Sequence, residues 1–396
     1  MSALPTPQHT TAAAIVRWYE SKPQTHRPHM GASLIGHECE RSIWLTWRWA
    51  LAPSFKGRIL RLFSTGQREE ARIVEELRGI GAQVWENDPD TGEQFRVSAL
   101  DGHFGGSLDG IAKGLPEAPK TACVLEFKTH SSKSWLDLSK KKVRESKPQH
   151  FDQMTVYMGL MGLDRAMYLG INKDTDDIHS EWVHFDADRY HFLIEKAKRL
   201  IGMDAPPARI STDPAFFICG MCNFKTSCHG GVSAEANCRT CARVTPVSRG
   251  AWECGIHKRE LAHHEQESGC LDHLMIPALI PYATAVDGGT NWVAYTVNES
   301  GAGFVNAHES VGVPDGFGPS FLSRELHHCP SQLIDQVTEL KRELPGSMVV
   351  TGTAATDFDD ISTDINDIPV RRDPPRKVAE RKKVTSMLAQ MKEFAA

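Results

Sequence analysis

Residues 107–130 read SLDGIAKGLPEAPKTACVLEFKTH, and this stretch decides the predicted fold. Its two apolar runs are strand-like, and the segment KGLPEAPK between them has the glycine and prolines of a turn, so we predict a β-hairpin. Side chains alternate between the two faces of a strand, so Glu126 and Lys128 point the same way. Pairing of the two strands brings Asp109 beside Glu126.

The polar residues of this hairpin permit two interpretations. A Glu and a Lys two positions apart are most often a solvent-facing pair. Two neighbouring carboxylates, however, resist ionisation unless a cation lies between them, and oxygen ligands of this kind suit Mg²⁺ or Mn²⁺. The sequence therefore predicts a divalent-metal site at Asp109 and Glu126, with Lys128 next to it. Three small residues nearby would let a nucleic-acid backbone approach closely: Gly105, Gly106 and Gly110.

Length and composition bound the class of protein. A chain of 396 residues is long enough for two or three domains. With 40% hydrophobic residues and a formal net charge of −5, it resembles a soluble protein rather than one that coats DNA. We see no apolar run long enough to span a membrane and no secretory signal. We therefore expect a cytoplasmic protein whose ten cysteines are ligands or free thiols rather than disulfides.

The order of predicted elements indicates an α/β (α+β) domain over residues 1–230, in which helices flank a mixed sheet. Beyond it we predict a Cys/His-rich segment at 231–275, a small α+β unit at 276–355, and an acidic linker with a basic C-terminal helix at 356–396. Helices are predicted within 11–30, 33–51, 62–81, 151–162, 189–202 and 330–344, strands within 82–87, 95–100, 104–114, 122–130, 165–173 and 291–297, and a basic loop at 139–150. In the third helix, Ile73, Leu77 and Ile80 are predicted to form one apolar stripe.

Two further motifs flank the hairpin. Gln153 and Tyr157 are four residues apart in a predicted helix, so they share one face of it. Upstream, LFSTGQREE places Glu70 four residues after Gly66. In this order the motifs resemble the PD-(D/E)xK nuclease superfamily, and specifically its RecB-like group, in which a Q-x-x-x-Y helix follows the catalytic strand. Many RecB-like members have His where this chain has Glu70, and phage recombination exonucleases tend to have Glu.

The resemblance implies a restriction-endonuclease-like core and a metal-dependent DNA exonuclease that serves recombination or end processing, plausibly phage-encoded. Its implied partners are DNA, as linear ends or single strands, and a recombination or annealing protein. The implied catalytic residues are Asp109, Glu126, Lys128, Gln153, Tyr157 and Glu70, of which Asp109, Glu126 and Glu70 surround Mg²⁺. Whether Glu70 is a direct ligand stays open. Three alternatives also stay open: a structure-specific endonuclease, a non-catalytic DNA-binding module scaffolded by metal sites, and an RNA-directed nuclease.

The cysteines fall into two groups. The first joins Cys39 to the run CGMCNFKTSC, which contains Cys219, Cys222 and Cys228. One cysteine before the core and three after it resembles the iron-staple nucleases, which implies a [4Fe–4S] cluster that ties the two ends of the domain together. A Cys₄ zinc site has the same ligands and stays open.

The second group comprises Cys238, Cys241, Cys254 and Cys270, with His257 and His273 nearby. A C-x-x-C pair followed by two further candidates is compatible with structural Zn²⁺. Cys270 is favoured over His273 as the fourth ligand, and scattered free thiols are the alternative.

A basic stretch follows the hairpin and is predicted to contact DNA phosphates. Trp135 or His150 would stack there on an unpaired base. A solvated charged surface is the alternative interpretation. The predicted DNA-binding residues are Trp135, Lys140, Lys141, Lys142, Arg144 and Lys147.

Overall fold

A five-stranded mixed sheet forms the centre of the N-terminal part of the protein in this computed structural model, which describes residues 10–308, 310–313 and 315–350. The strand order is β2-β5-β6-β7-β8. The predicted hairpin is confirmed, because β5 and β6 pair antiparallel with Gly110 opposite Leu125. β6 also pairs with β7 in parallel, with Glu126 opposite Tyr168. The strands are β2 (Gln83–Trp85), β5 (Gly110–Lys113), β6 (Cys123–His130), β7 (Arg165–Asn172) and β8 (Ile178–His184).

Three smaller sheets surround this centre, with orders β1-β4-β3, β11-β10-β9 and β12-β13-β14-β15. The first lies next to the site because β4 directly precedes β5. The second belongs to the Cys-rich segment, and the third to the predicted small α+β unit. Their strands are β1 (Met30–Gly31), β3 (Arg96–Ala99), β4 (Phe104–Ser107), β9 (Val244–Pro246), β10 (Trp252–Cys254), β11 (Arg259–Leu261), β12 (Ala283–Gly289), β13 (Trp292–Val297), β14 (Gly303–Ala307) and β15 (Ser320–Phe321).

Helices cover both faces of the central sheet. Ile73, Val74 and Leu77 of α4 pack on one face, and the largely buried helix α6 packs on the other. The α+β fold class, with a mixed sheet flanked by helices, is therefore as predicted. The helices are α1 (Thr11–Glu20), α2 (Ala32–Ile35), α3 (Glu40–Trp47), α4 (Gly57–Gly79), α5 (Ser132–Ser146), α6 (Pro148–Met161), α7 (Ala187–Ile201), α8 (Phe217–Gly220), α9 (Lys225–His229), α10 (His263–Gln266), α11 (Ser323–His328) and α12 (Ile334–Glu343).

Four local predictions were wrong. The strand expected across 104–114 is two strands, β4 and β5, which belong to different sheets. The basic loop at 139–150 is mostly helix α5, which buries Leu138 and Val143. The helix expected across 33–51 is broken into α2 and α3. Ile80, expected in the apolar stripe of α4, follows the last helical residue and is 62% exposed.

Packing is continuous across residue 230, where we predicted a domain boundary. Trp252 and Met275 lie in the same buried cluster as Trp44 and Phe104 of the N-terminal part. The division into units stays a prediction, and the predicted linker and helix at 356–396 lie outside the described residues. No helix in the described part of the chain is long and apolar enough to cross a membrane.

Candidate active site and cysteine clusters

The hairpin brings the acidic and basic residues of the opening stretch into direct contact. Asp109 lies immediately before β5, and its Oδ2 accepts a hydrogen bond from the backbone N–H of Phe127 at 2.7 Å. Glu126 is fully buried in the central strand and forms an ion pair with Lys128. The Lys128 amino group also donates to the carbonyl of Phe127 at 3.0 Å. The pair is therefore an interior feature of the sheet and does not form a solvent-facing edge.

Helix α6 packs against β6 and contacts Glu126 from one side. Gln153 Nε2 donates to Glu126 Oε2 at 3.2 Å and lies 3.2 Å from Tyr157 Oη. Both side chains are nearly fully buried, as their shared helix face requires. The shared helix face expected for these two residues is thus present, and Gln153 is the one that contacts Glu126.

The three glycines near the site pack against the protein's own atoms, so their predicted role in admitting a nucleic-acid backbone is not what the structure shows. A Cβ at Gly106 would lie 2.6 Å from Tyr157 Oη, and one at Gly110 would lie 2.9 Å from the carbonyl oxygen of Trp85. A Cβ at Gly105 would overlap the carbonyl of Val97. The glycines therefore allow close packing between strands and against α6.

A third carboxylate reaches the site from α4. Burial and the neighbouring charge of Asp109 raise the pKa of Glu70. Burial also raises the pKa of Asp109 and, against the opposing effect of Lys128, raises the pKa of Glu126 to about 7. Burial alone would lower the pKa of Lys128, but Glu126 and Asp109 outweigh it and raise that pKa.

The donor set of this site fits a hard divalent cation. The charges of three carboxylates act on one another where burial opposes their ionisation, and Lys128 supplies a single compensating charge. A cation among them would stabilise the charged form of all three. All three offer oxygen ligands, which Mg²⁺ and Mn²⁺ prefer.

A buried histidine–tyrosine network next to Glu126 was missed by the sequence analysis. Tyr168 Oη lies 2.8 Å from His130 Nε2 and 2.9 Å from His150 Nδ1. Burial lowers the pKa of His130 to about 4 and that of His150 to about 3, so both rings are neutral at neutral pH. His150, predicted to stack on a base, already stacks on Tyr168 with ring centroids 5.8 Å apart. The spacing offered a signal, since His130 follows Glu126 and Lys128 at alternate positions of β6.

The predicted DNA-binding residues lie on and next to α5, and several of them form ion pairs with other residues of the chain. Lys141 Nζ lies 2.9 Å from Asp137, and Arg144 pairs with Asp186 at 2.8 Å. The partly buried Lys147 lies 3.7 Å from Asp137. The exposed side chains of Lys140 and Lys142 form no ion pair with the described residues, and Trp135 is half-buried. DNA contact through α5 stays a prediction.

A second basic surface, also missed, is formed by α1 and the first half of α4. We call it the α1–α4 face. It exposes apolar side chains, among them Trp18 at 57% and Phe63 at 48%. Phe63 and Glu70 are seven residues apart on α4, so both lie on the side of the helix that leads to the active site, about 10 Å apart along its axis. Six cations of α1, α4 and the residues next to them form no ion pair with a carboxylate of the described residues: Arg17, Lys22, Lys56, Arg58, Arg61 and Arg68. With about 3.6 residues per turn, the three arginines of α4 lie on the opposite side of the helix from Phe63 and Glu70.

The first cysteine group converges in the structure. Cys39 lies at the start of α3, Cys219 in α8 and Cys228 in α9, and Cys222 lies in the turn between the last two helices. All four line one cavity. Basic side chains surround it, namely Arg41, Arg209, Lys225 and His229.

The second cysteine group also shares a cavity, of about 340 Å³, which His257 and His273 help to line. Its four members are Cys238, Cys241, Cys254 and Cys270. The members of each predicted set therefore line one cavity, whereas the His/Cys/Asp/Glu ligand atoms of the described residues that lie within 4.8 Å of one another as a group belong to His257, Cys270 and Asp272.

Comparison with known proteins leaves the activity to be argued from the site. No family model and no curated protein matches the chain. Among solved structures, LHK-Exo in complex with dAMP is 14% identical with a TM-score of 0.33, over 47% of this chain and 90% of that chain. SSO0001 is 14% identical with a TM-score of 0.33, over 55% and 93%. The alkaline exonuclease LHK-Exo from Laribacter hongkongensis is 14% identical with a TM-score of 0.31, over 47% and 90%.

Proposed function

We propose that this chain is a metal-dependent deoxyribonuclease that hydrolyses phosphodiester bonds and acts as an exonuclease. The observation that carries the proposal is the group formed by Asp109, Glu126 and Lys128, in which buried acidic groups share a single lysine. A structural ion pair needs one carboxylate, whereas this site also brings in Asp109 and, from α4, Glu70. A protein that only binds DNA has no use for such a group.

The residues that would hold Mg²⁺ or Mn²⁺ are Asp109, Glu126 and Glu70. When bound, the ion supplies Lewis-acid polarisation of the phosphodiester and activation of water. Lys128 brings a positive charge to the place where negative charge develops on the phosphate. Gln153 fixes the orientation of the Glu126 carboxylate through the 3.2 Å hydrogen bond.

The substrate class follows from the charged and aromatic surfaces. Unpaired cations on the α1–α4 face suit phosphates, and its exposed aromatic rings suit unpaired bases. Lys140 and Lys142 of α5 would add further contacts to DNA phosphates. Together they favour a DNA end or single strand as substrate. The role in recombination or end processing, with a recombination or annealing protein as partner, is proposed from the resemblance of the sequence motifs.

The first cysteine group is proposed to hold a [4Fe–4S] cluster. Cys₄ ligation is the ordinary way in which proteins hold such clusters. Positive side chains around the cavity, among them Arg41 and Arg209, would offset the negative charge of four thiolates and the cluster. The cluster would join Cys39 to residues 219–228 and so cross-link the two ends of the nuclease-like region.

The test compares end-labelled linear DNA with covalently closed circular DNA, each with Mg²⁺ and with chelator. We expect Mg²⁺-dependent loss of label from linear DNA only. Glu126→Gln and Asp109→Asn should each lower the rate by at least about 10²-fold and leave DNA affinity largely unchanged. Glu195→Gln is the matched control, because that carboxylate is 70% exposed and lies on α7, away from the site.

Each alternative predicts a different result in the same experiment. Cleavage of the closed circle would favour a structure-specific endonuclease. Tight DNA binding without any cleavage by the wild-type protein would favour a binding module. Faster cleavage of labelled RNA than of DNA would favour an RNA-directed enzyme. Full activity of Glu126→Gln would contradict the assignment of the site.

A further inference from the structure

The second cysteine group is built from three separate segments of the chain. Cys238 and Cys241 flank a 3₁₀ turn, Cys254 ends β10, and Cys270 lies in the loop after α10. Backbone pairing holds these segments together, since Cys241 forms a bridge with Met275 and β10 lies between β9 and β11. The convergence of all four thiols on one cavity is therefore a product of the fold, not of closeness in sequence.

Two of these sulfurs already accept backbone hydrogen bonds. The N–H of Arg243 points at Cys241 Sγ at 3.4 Å, and the N–H of His257 points at Cys254 Sγ at 3.4 Å. Both donors lie two or three residues after the cysteine, in a turn that folds back over the sulfur. Such donors stabilise a thiolate and orient it, as outer-sphere hydrogen bonds do at metal centres. Cys238 differs from them, because its Sγ donates to the carbonyl oxygens of Glu265 at 3.4 Å and Ser268 at 3.7 Å.

The fourth ligand lies at one corner of the cavity. Ligand atoms of His257, Cys270 and Asp272 lie within 4.8 Å of one another there. His273 is 4% exposed and its Nε2 lies 2.8 Å from the carbonyl oxygen of Asn237, so it supports the turn that carries Cys238. Cys270 shares the cavity with Cys238 and Cys241.

Arg239 lies between Cys238 and Cys241 in the sequence, and its side chain points away from the cysteines into the N-terminal part of the protein. It is 1% exposed. Its guanidinium donates to the carbonyl oxygens of Trp47 at 3.1 Å and Pro28 at 2.9 Å, and it lies 3.7 Å from the ring centre of Trp49. Its Nε donates to the side chain of Gln266 at 2.9 Å. Arg239 thus links the cysteine turn to residues 28–49, which include β1 and α3.

We propose that Cys238, Cys241, Cys254 and Cys270 hold one structural Zn²⁺, and that this ion fixes the turn from which Arg239 supports the N-terminal part of the nuclease-like region. Four thiolates without an open position are the ligand set of structural zinc. A charged guanidinium without a carboxylate partner is costly to bury, so its hydrogen bonds to carbonyl oxygens require a rigid turn. The proposal does not depend on the nuclease activity.

The first experiment measures zinc and iron in full-length protein purified without added metal. We expect Cys270→Ser and Cys241→Ser each to lose about one zinc per chain relative to wild type and to keep its iron. Cys329→Ala, a buried cysteine outside both groups, is the control and should lose neither. Cys270 is exposed, so its substitution by Ser places no hydroxyl in the core. Cys270→Ser therefore still reports the zinc content if the buried substitution Cys241→Ser prevents folding. Equal zinc in wild type and Cys270→Ser would overturn the site.

Cobalt distinguishes the fourth ligand. Co²⁺ exchanged into the site should give the thiolate-to-metal absorption of a four-cysteine centre, weakened in Cys270→Ser and unchanged in His257→Ala. The opposite pattern would overturn the assignment of Cys270.

Limited trypsin digestion tests the link through Arg239. Cys270→Ser should speed cleavage after Arg41 and Arg48, the trypsin sites within residues 22–48, because Lys22 and Arg27 each precede a proline. Arg239→Met should do the same while retaining its zinc. Zinc loss in Cys270→Ser with wild-type resistance at 22–48 would overturn the supporting role.

Discussion

Gly106→Ala is the most informative single substitution, because it adds one methyl group to a buried contact of the active site. The added Cβ would lie 2.6 Å from Tyr157 Oη and 2.9 Å from the nearest ring carbon. Tyr157 is 2% exposed, so its ring cannot swing into solvent. Ordinary contacts are longer by several tenths of an ångström, so the tyrosine must shift by about 0.5–1 Å.

A shift of Tyr157 would displace Glu126 of β6, because Gln153 contacts both side chains. The same Nε2 that lies 3.2 Å from Tyr157 Oη donates to Glu126 Oε2 at 3.2 Å. Overpacking of this kind costs about 1–3 kcal/mol, partly offset by about 0.5–1 kcal/mol from replacing a glycine within a strand. Misplacing a reacting group by about 1 Å costs about 10²-fold in rate. We therefore expect a small loss of stability and a much larger loss of cleavage.

The assay is initial cleavage of end-labelled DNA, together with thermal unfolding and DNA affinity. Gly106→Ala should lower the cleavage rate by about 10²-fold, lower the melting temperature by a few degrees, and leave DNA affinity unchanged. Gly79→Ala is the control, because a Cβ there meets nothing within 4 Å at the end of α4. Wild-type cleavage by Gly106→Ala would refute the idea that packing behind Tyr157 positions Glu126.

Three other predictions concern stability, DNA affinity and the first cysteine group. The pKa of His130 is lowered to about 4 in the folded protein, whereas a histidine in the unfolded chain has a pKa of about 6.5, so between these values only the unfolded state gains this proton. The contribution of His130 to the free energy of unfolding should therefore fall by about 1.4 kcal/mol for each unit of pH decrease. His130→Gln should flatten this pH dependence in urea titrations. On the α1–α4 face, Phe63→Ala should weaken single-strand binding by about 1–3 kcal/mol and Arg61→Ala should reduce its salt slope by about 1, whereas Lys198→Ala should change neither. Anaerobic wild-type protein should be brown with about four irons per chain, and Cys222→Ser should bleach it and melt at lower temperature; a colourless wild-type protein would contradict the cluster.

The sequence was sufficient for features that depend on local alternation. The period of two in β6 placed Glu126 and Lys128 on one face, and the turn composition before it identified the partner strand β5, which begins directly after Asp109. The spacing of Gln153 and Tyr157 likewise gave their shared helix face. Each of these inferences needs only the geometry of one strand, one turn or one helix.

Contacts between residues that are far apart in the sequence could not be predicted in this way. Gly106 has the same local signature whether it faces DNA or Tyr157, and only tertiary packing decides. Helix α5 was mistaken for a loop because its run of lysines outweighed Leu138 and Val143, whose burial depends on packing against β7 and β8. Nothing near Arg239 in the sequence indicates that it contacts Pro28.

The contact between Arg239 and Pro28 also sets an order of events during synthesis, because it joins positions 211 residues apart. At about 5–20 residues per second, the ribosome needs about 10–40 s to make the intervening chain. Throughout that interval the residues around Trp47 and Trp49 have emerged without the turn that covers them. The nascent N-terminal segment is therefore a natural client for chaperones that bind exposed aromatic side chains, and its release should await translation of the cysteine-rich segment.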